Sequence, residues 1–120
     1  MSKGVSLIEL MITLAIIAIL VAISGNVFSG NILKSRRQQA QNQMLESTLM
    51  QGQFRITNGR YASVEELGLE NSEHYIYSAE IKGGATFTLF AKAQNNQKKD
   101  STCSILSINQ SMQREPKKCW

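Results

Sequence analysis

Glu9 is the first residue whose chemistry needs explaining. It stands at the head of an almost unbroken apolar run from Leu10 to Ile23, where a carboxylate is costly unless it finds a partner. Other reactive groups are sparse. His74 is the sole histidine, and without a nucleophile or base patterned around it a surface or edge position fits better than catalysis. Glu65, Glu66, Glu70 and Glu73 form an acidic stretch without the ligand spacing of a calcium loop. Lys98, Lys99, Arg114, Lys117 and Lys118, with Trp120 nearby, can neutralise phosphates and stack on a base, although Asp100 and Glu115 dilute the patch. The sequence carries no nucleophile elbow, phosphate loop or metal-spaced cluster, so no enzyme, cofactor or metal site is expected.

The segment that carries Glu9 sets the organisation of the chain. A secretory signal peptide is one reading, with Lys3 as its basic start and Ala22-Ile23-Ser24 as a small-residue cleavage site. A retained anchor is another. Val5 to Gly25, at about 1.5 Å per helical residue, spans the roughly 30 Å of a hydrocarbon core. Both leave unused the glycine directly before the apolar helix and the acid on the fifth residue after it.

Those two features carry a resemblance. Gly4-Val5-Ser6-Leu7-Ile8-Glu9-Leu10-Met11 resembles the class III signal of type IV pilins and pseudopilins, and the likeness continues into Lys34-Ser35-Arg36-Arg37-Gln38-Gln39-Ala40-Gln41. It extends more loosely through Phe54 to Tyr61 and the C-terminal cysteines. The resemblance implies cleavage between Gly4 and Val5 by a prepilin peptidase, N-methylation of Val5, and retention of the helix. It also implies that Glu9 pairs with the free amine of a neighbouring subunit's Val5, offsetting part of two desolvation costs and fixing axial register. A Glu that reaches headgroups from the helix end, or is protonated, is the simpler alternative. The implied partners are other pilin subunits in a helical filament, the peptidase, an inner-membrane assembly platform and, before assembly, the membrane itself. The implied location is a single pass through the bacterial inner membrane with a periplasmic head, then an extracellular pilus. The family often has glycine where this chain has Ala18 and proline where it has Asn26.

The expected division is a leader over residues 1–4, an assembly helix over 5–25, an amphipathic helical half over 26–57 and a β head over 58–120. Ser24-Gly25-Asn26 and Ser29-Gly30-Asn31 are poor helix formers and are expected to interrupt the helix, with Gly25 and Gly30 as a weak point that extends or melts on assembly. From Ile32 an apolar stripe returns through Leu33, Ala40, Met44, Leu45, Leu49 and Phe54. Lys34, Arg36 and Arg37 fall where lipid headgroups or neighbouring subunits would lie. Thr57-Asn58-Gly59 stops the helix.

Beyond it, Ser63 and Glu66 form a capping box, with Leu67 and Leu69 fastening the turn to the core. Tyr75, Tyr77, Ala79 and Ile81 alternate on one face, Lys82-Gly83-Gly84 turns the chain into Ala85 to Ala93, and Thr102 to Asn109 makes a third strand. The expected fold is therefore α+β, a long helix on a three- or four-stranded antiparallel meander. An exported head with an even cysteine count favours a Cys103–Cys119 disulfide over free thiols.

The formal net charge of +4 argues solubility rather than a ligand. The expected function is a structural, minor subunit of a type IV pilus, serving adhesion, twitching motility or DNA uptake. The alternatives are a receptor pilin that binds DNA or a surface through the Lys98 to Trp120 residues, and a type II secretion pseudopilin.

Overall fold

The computed structural model describes residues 3–120. Met1 and Ser2 of the expected leader, and the Asn26 side chain, lie outside the described residues. The chain forms two compact units, Met1–Ile32 and Leu33–Trp120, and helix α1, Leu7–Asn58, contributes to both.

In the first unit the apolar side chains face outward. Leu7, Ile12, Ile17, Leu20, Val27 and Phe28 are all at least half exposed. A helix apolar on every side belongs in a bilayer or against other helices. The expected interruption at residues 24–31 is corrected: α1 runs through it unbroken. Ser24 Oγ donates to Val21 O at 3.1 Å and Ser29 Oγ to Gly25 O at 3.1 Å, so the two serine hydroxyls bond back into the helix itself. Gly25 and Gly30 each cost about 1 kcal/mol relative to alanine, which good helix formers on both sides outweigh.

In the second unit α1 buries most of the expected stripe, with Ala40 and Met44 in the core and Leu45 and Phe54 packed against it, and adds polar residues to it. Ala40, Met44, Ser47 and Gln51 recur at helical spacing and are each no more than 2% exposed. Leu49, expected on that face, is 72% exposed, because the face drifts and polar residues with backbone partners take its place. Gln51 explains how polarity is tolerated there. Its Nε2 donates to Ala62 O and its Oε1 accepts from Ala62 N, both at 2.7 Å, as one strand would pair with another. This double bond fixes the chain that returns after α1. Gln51→Leu is expected to leave two buried backbone groups of Ala62 unpaired and to lower stability by about 2 to 4 kcal/mol. Urea unfolding of the full chain in detergent checks this, and a midpoint equal to wild type would show that water satisfies them.

Helix α1 ends where Gly59, at φ 73°, takes the left-handed conformation and donates its N–H to Arg55 O at 2.7 Å. A single helical turn, α2 (Val64–Leu67), follows with the expected capping box. Ser63 Oγ accepts from Glu66 N while Glu66 Oε1 accepts from Ser63 N. Arg60 grips the same carboxylate with two bonds of 2.9 and 2.7 Å. Those guanidinium bonds first, and the Ser63 backbone N–H second, hold Glu66 down to a pKa of about 2. Leu67 and Leu69 are buried as expected.

The sheet is a four-stranded antiparallel meander in the order β1 (Tyr75–Lys82), β2 (Thr86–Ala93), β3 (Ile105–Asn109) and β4 (Arg114–Glu115). Tyr75 pairs with Ala93 and Lys82 with Thr86 across the hairpin, and Leu89 pairs with Ile108 in the next ladder. The inward residues Tyr75, Tyr77, Phe87, Leu89, Leu106 and Ile108 form the core with Ala40 and Met44. Burial raises the pKa of both Tyr75 and Tyr77. The hairpin turn packs close enough to Arg60 that a Cβ at Gly84, already at φ +69°, would come within 3.3 Å of the Arg60 Cβ.

One expected boundary shifts here. Thr102 belongs to a 3-10 helix, Ser101–Cys103, and the third strand starts only at Ile105. The polar stretch after β2 is a second 3-10 helix, Asn95–Lys99, held by the fully buried Gln97. Gln97 Nε2 donates to Leu33 O at 2.9 Å and to Tyr75 Oη at 3.0 Å. Beside it Arg37 Nη1 donates to both carboxylate oxygens of Asp100 at 2.9 Å. These bonds tie Leu33 and Arg37 to the head.

Candidate functional site

The start of α1 holds a device that the apolar run hides. Ser6 N donates to Glu9 Oε2 at 2.8 Å, and Glu9 N donates to Ser6 Oγ at 3.3 Å. This is a capping box, in which the Glu9 carboxylate satisfies the Ser6 amide and the Ser6 hydroxyl satisfies the Glu9 amide. Gly4, Val5 and Ser6 stay outside the helix, and nothing approaches a Cβ built on Gly4 within 4 Å. The Gly4–Val5 peptide is therefore exposed and non-helical. The Ser-Leu-Ile-Glu spacing signals the box in the sequence, but the acid invites attention only as an intramembrane charge.

At the other end of the chain, Cys103 and Cys119 form the expected disulfide, with Cα atoms 5.8 Å apart. Both are buried, and Gln41 Nε2 donates to Cys119 O, tying the closing loop to α1. The loop carries β4, a 3-10 helix at Lys117–Cys119 and Trp120. Trp120 Nε1 donates to Glu115 O at 3.2 Å, and the Arg114 guanidinium lies 5.8 Å from the centroid of the indole ring.

The six residues expected to make one basic patch are divided by this arrangement. Arg114, Lys117 and Trp120 line one open cavity of about 520 Å³ with Met112, Gln113 and Glu115. Lys118, next in the chain, lines another with Lys34 and Arg37, and Trp120 borders both. Lys98 and Lys99 sit on the Asn95–Lys99 helix and line neither. A short 3-10 helix turns adjacent lysines apart, which a linear reading of Lys117-Lys118 cannot show. Among the described residues no group of His, Cys, Asp and Glu is arranged to hold a metal ion.

An apolar helix with an N-terminal acid, followed by a helix-backed antiparallel meander closed by a C-terminal disulfide, defines the type IV pilins. A family model described as prokaryotic N-terminal methylation motif matches residues 1–25. A solved type IV pilin from Shewanella oneidensis has 28% identity and a TM-score of 0.64, over 73% of this chain and 97% of that one. No curated protein matches. A second family model, described as type IV minor pilin ComP, DNA uptake sequence receptor, matches residues 27–107. The chain belongs to that family and is a minor subunit of a type IV pilus, anchored in a membrane through its apolar helix and assembled with other pilins.

Proposed function

We propose that the subunit is cut between Gly4 and Val5 by a prepilin peptidase, methylated on Val5, and held in the inner membrane with its head in the periplasm. An assembly platform then draws it into the pilus, where Glu9 pairs with the Val5 amine of a neighbour. The observation that carries this reading is the exposed, non-helical Gly4–Val5 bond directly before a helix that starts at Leu7. A protease needs an extended substrate, and a retained helix needs its own start. Intact mass and N-terminal sequencing of sheared filaments, without reducing agent, are expected to give a chain beginning at methylated Val5. A periplasmic chain beginning after Ser24 would make the apolar helix a discarded signal peptide.

We further propose that the head of this minor pilin is a DNA receptor, and that Arg114, Lys117 and Trp120 are its contact. The family description supports the activity. The shared cavity and the guanidinium over the indole support the residues, since a cation beside a partly exposed aromatic ring suits a phosphate next to an unstacked base. Arg114→Ala with Lys117→Ala is expected to weaken DNA retention and to reduce the slope of log affinity against log salt by about two. Lys98→Ala with Lys99→Ala should weaken it less. Equal affinity and an unchanged salt slope in the first pair would reject this contact.

A further inference from the structure

The second basic cavity, of about 330 Å³, faces a different chemistry. Lys34 and Arg37 enter it from α1, Lys118 and Trp120 from the disulfide-closed loop, and Gln38 adds an amide. Among the described residues neither Lys34 nor Lys118 makes an ion pair, whereas Arg37 shares its charge with Asp100. Arg37 is only partly spent, because its Nη1 makes both bonds to Asp100 while its buried Nε has no partner. The cavity is built rather than incidental, because the Gln41 bond to Cys119 O fixes Lys118 and Trp120 against the helix.

We propose that this cavity binds the phosphodiester headgroup of an anionic membrane phospholipid while the subunit waits in the bilayer. Two observations choose lipid over other phosphates. No charged residue stands between Glu9 and Lys34, so Lys34 is the first cation after an uncharged stretch long enough to cross a hydrocarbon core. The remaining lining joins lysine and arginine to tryptophan, the composition of a membrane interface, where cations reach headgroups and an indole sits at their level. An arginine and two flexible lysines can enclose a phosphate from several sides. The site acts before assembly and empties when the subunit leaves the bilayer.

Native mass spectrometry of the full chain, released from nanodiscs of phosphatidylcholine with phosphatidylglycerol, tests this. The wild type is expected to retain phosphatidylglycerol selectively, with retention falling about fivefold in Lys34→Ala or Lys118→Ala, the scale of one cation near an anionic surface. Lys118→Arg should restore it and Lys98→Ala should leave it unchanged. Trp120 is the only tryptophan, so its emission should shift in parallel as the anionic lipid fraction rises. Wild-type retention in Lys118→Ala overturns the site, as does an equal loss in Lys98→Ala, which would mean diffuse attraction only. Displacement of the lipid by inorganic phosphate or by duplex DNA at matched phosphate concentration would assign the cavity to those ligands instead. The Lys117 and Arg114 variants report on DNA separately, so either proposal can fail alone.

Discussion

Glu9→Gln and Glu9→Ala are both expected to reduce this subunit in sheared filaments by on the order of tenfold or more, while its level in the membrane stays unchanged. The two variants separate two roles of one side chain. The carboxylate caps its own helix through Ser6 N at 2.8 Å, and a glutamine oxygen can accept the same bond. Only the charge can pair with a neighbour's amine in an apolar filament interior, where an unmatched ion is heavily penalised. A tenfold loss corresponds to about 1.4 kcal/mol, well within what one uncompensated buried amine costs. Quantitative mass spectrometry of filament and membrane fractions reads it. Wild-type incorporation of Glu9→Gln, with loss only in Glu9→Ala, would mean that the cap matters and the proposed charge pair does not.

Cys119→Ser is expected to lower the stability of the head by about 3 kcal/mol, the chain-entropy value for closing a loop of this length. The two cysteines are 16 apart in sequence. For a head of this size that is a fall in thermal midpoint on the order of 15 °C. The damage should be local first. Cys119 and Cys103 are 4% and 5% exposed, so the bond staples the last turn of chain into the core. Its loss leaves the Gln41 bond to Cys119 O, the Trp120 bond to Glu115 O and the short β3–β4 pairing to hold Lys118 and Trp120 in place. Thermal unfolding of the full chain in detergent, followed by circular dichroism with and without reductant, checks the magnitude. A midpoint within a degree or two of wild type would show that packing alone holds the loop.

The elements were legible where a local rule was sufficient. The capping box at Ser63 and Glu66, the stop at Gly59 and the inward face of Tyr75, Tyr77, Ala79 and Ile81 each depend on neighbours two to four residues away. Weak local preferences yield where the surroundings are strong. Two glycines between long apolar and amphipathic stretches do not break α1, because a helix once nucleated propagates cheaply. Leu49 is apolar yet exposed, while Gln51 is buried on the core face, because a glutamine with two backbone partners is as well satisfied there as an aliphatic residue. Gln97 is hidden inside a polar run, and its burial depends on long-range bonds from its amide to Leu33 O and Tyr75 Oη.

By itself the sequence determined the anchor, the register of Gly4, Val5 and Glu9, and the α+β order of the head. Hydrophobic periodicity, capping and turn chemistry act over a few residues and are written in consecutive positions. It also determined that the only two cysteines stand within one short loop. Tertiary structure alone decided which basic residues share a surface. Lys34 and Lys118 meet in one cavity, Lys117 turns to Arg114 in another, and Trp120 borders both. That sorting depends on how the disulfide-closed loop docks on α1, a contact between residues far apart in the chain, and no local preference encodes it.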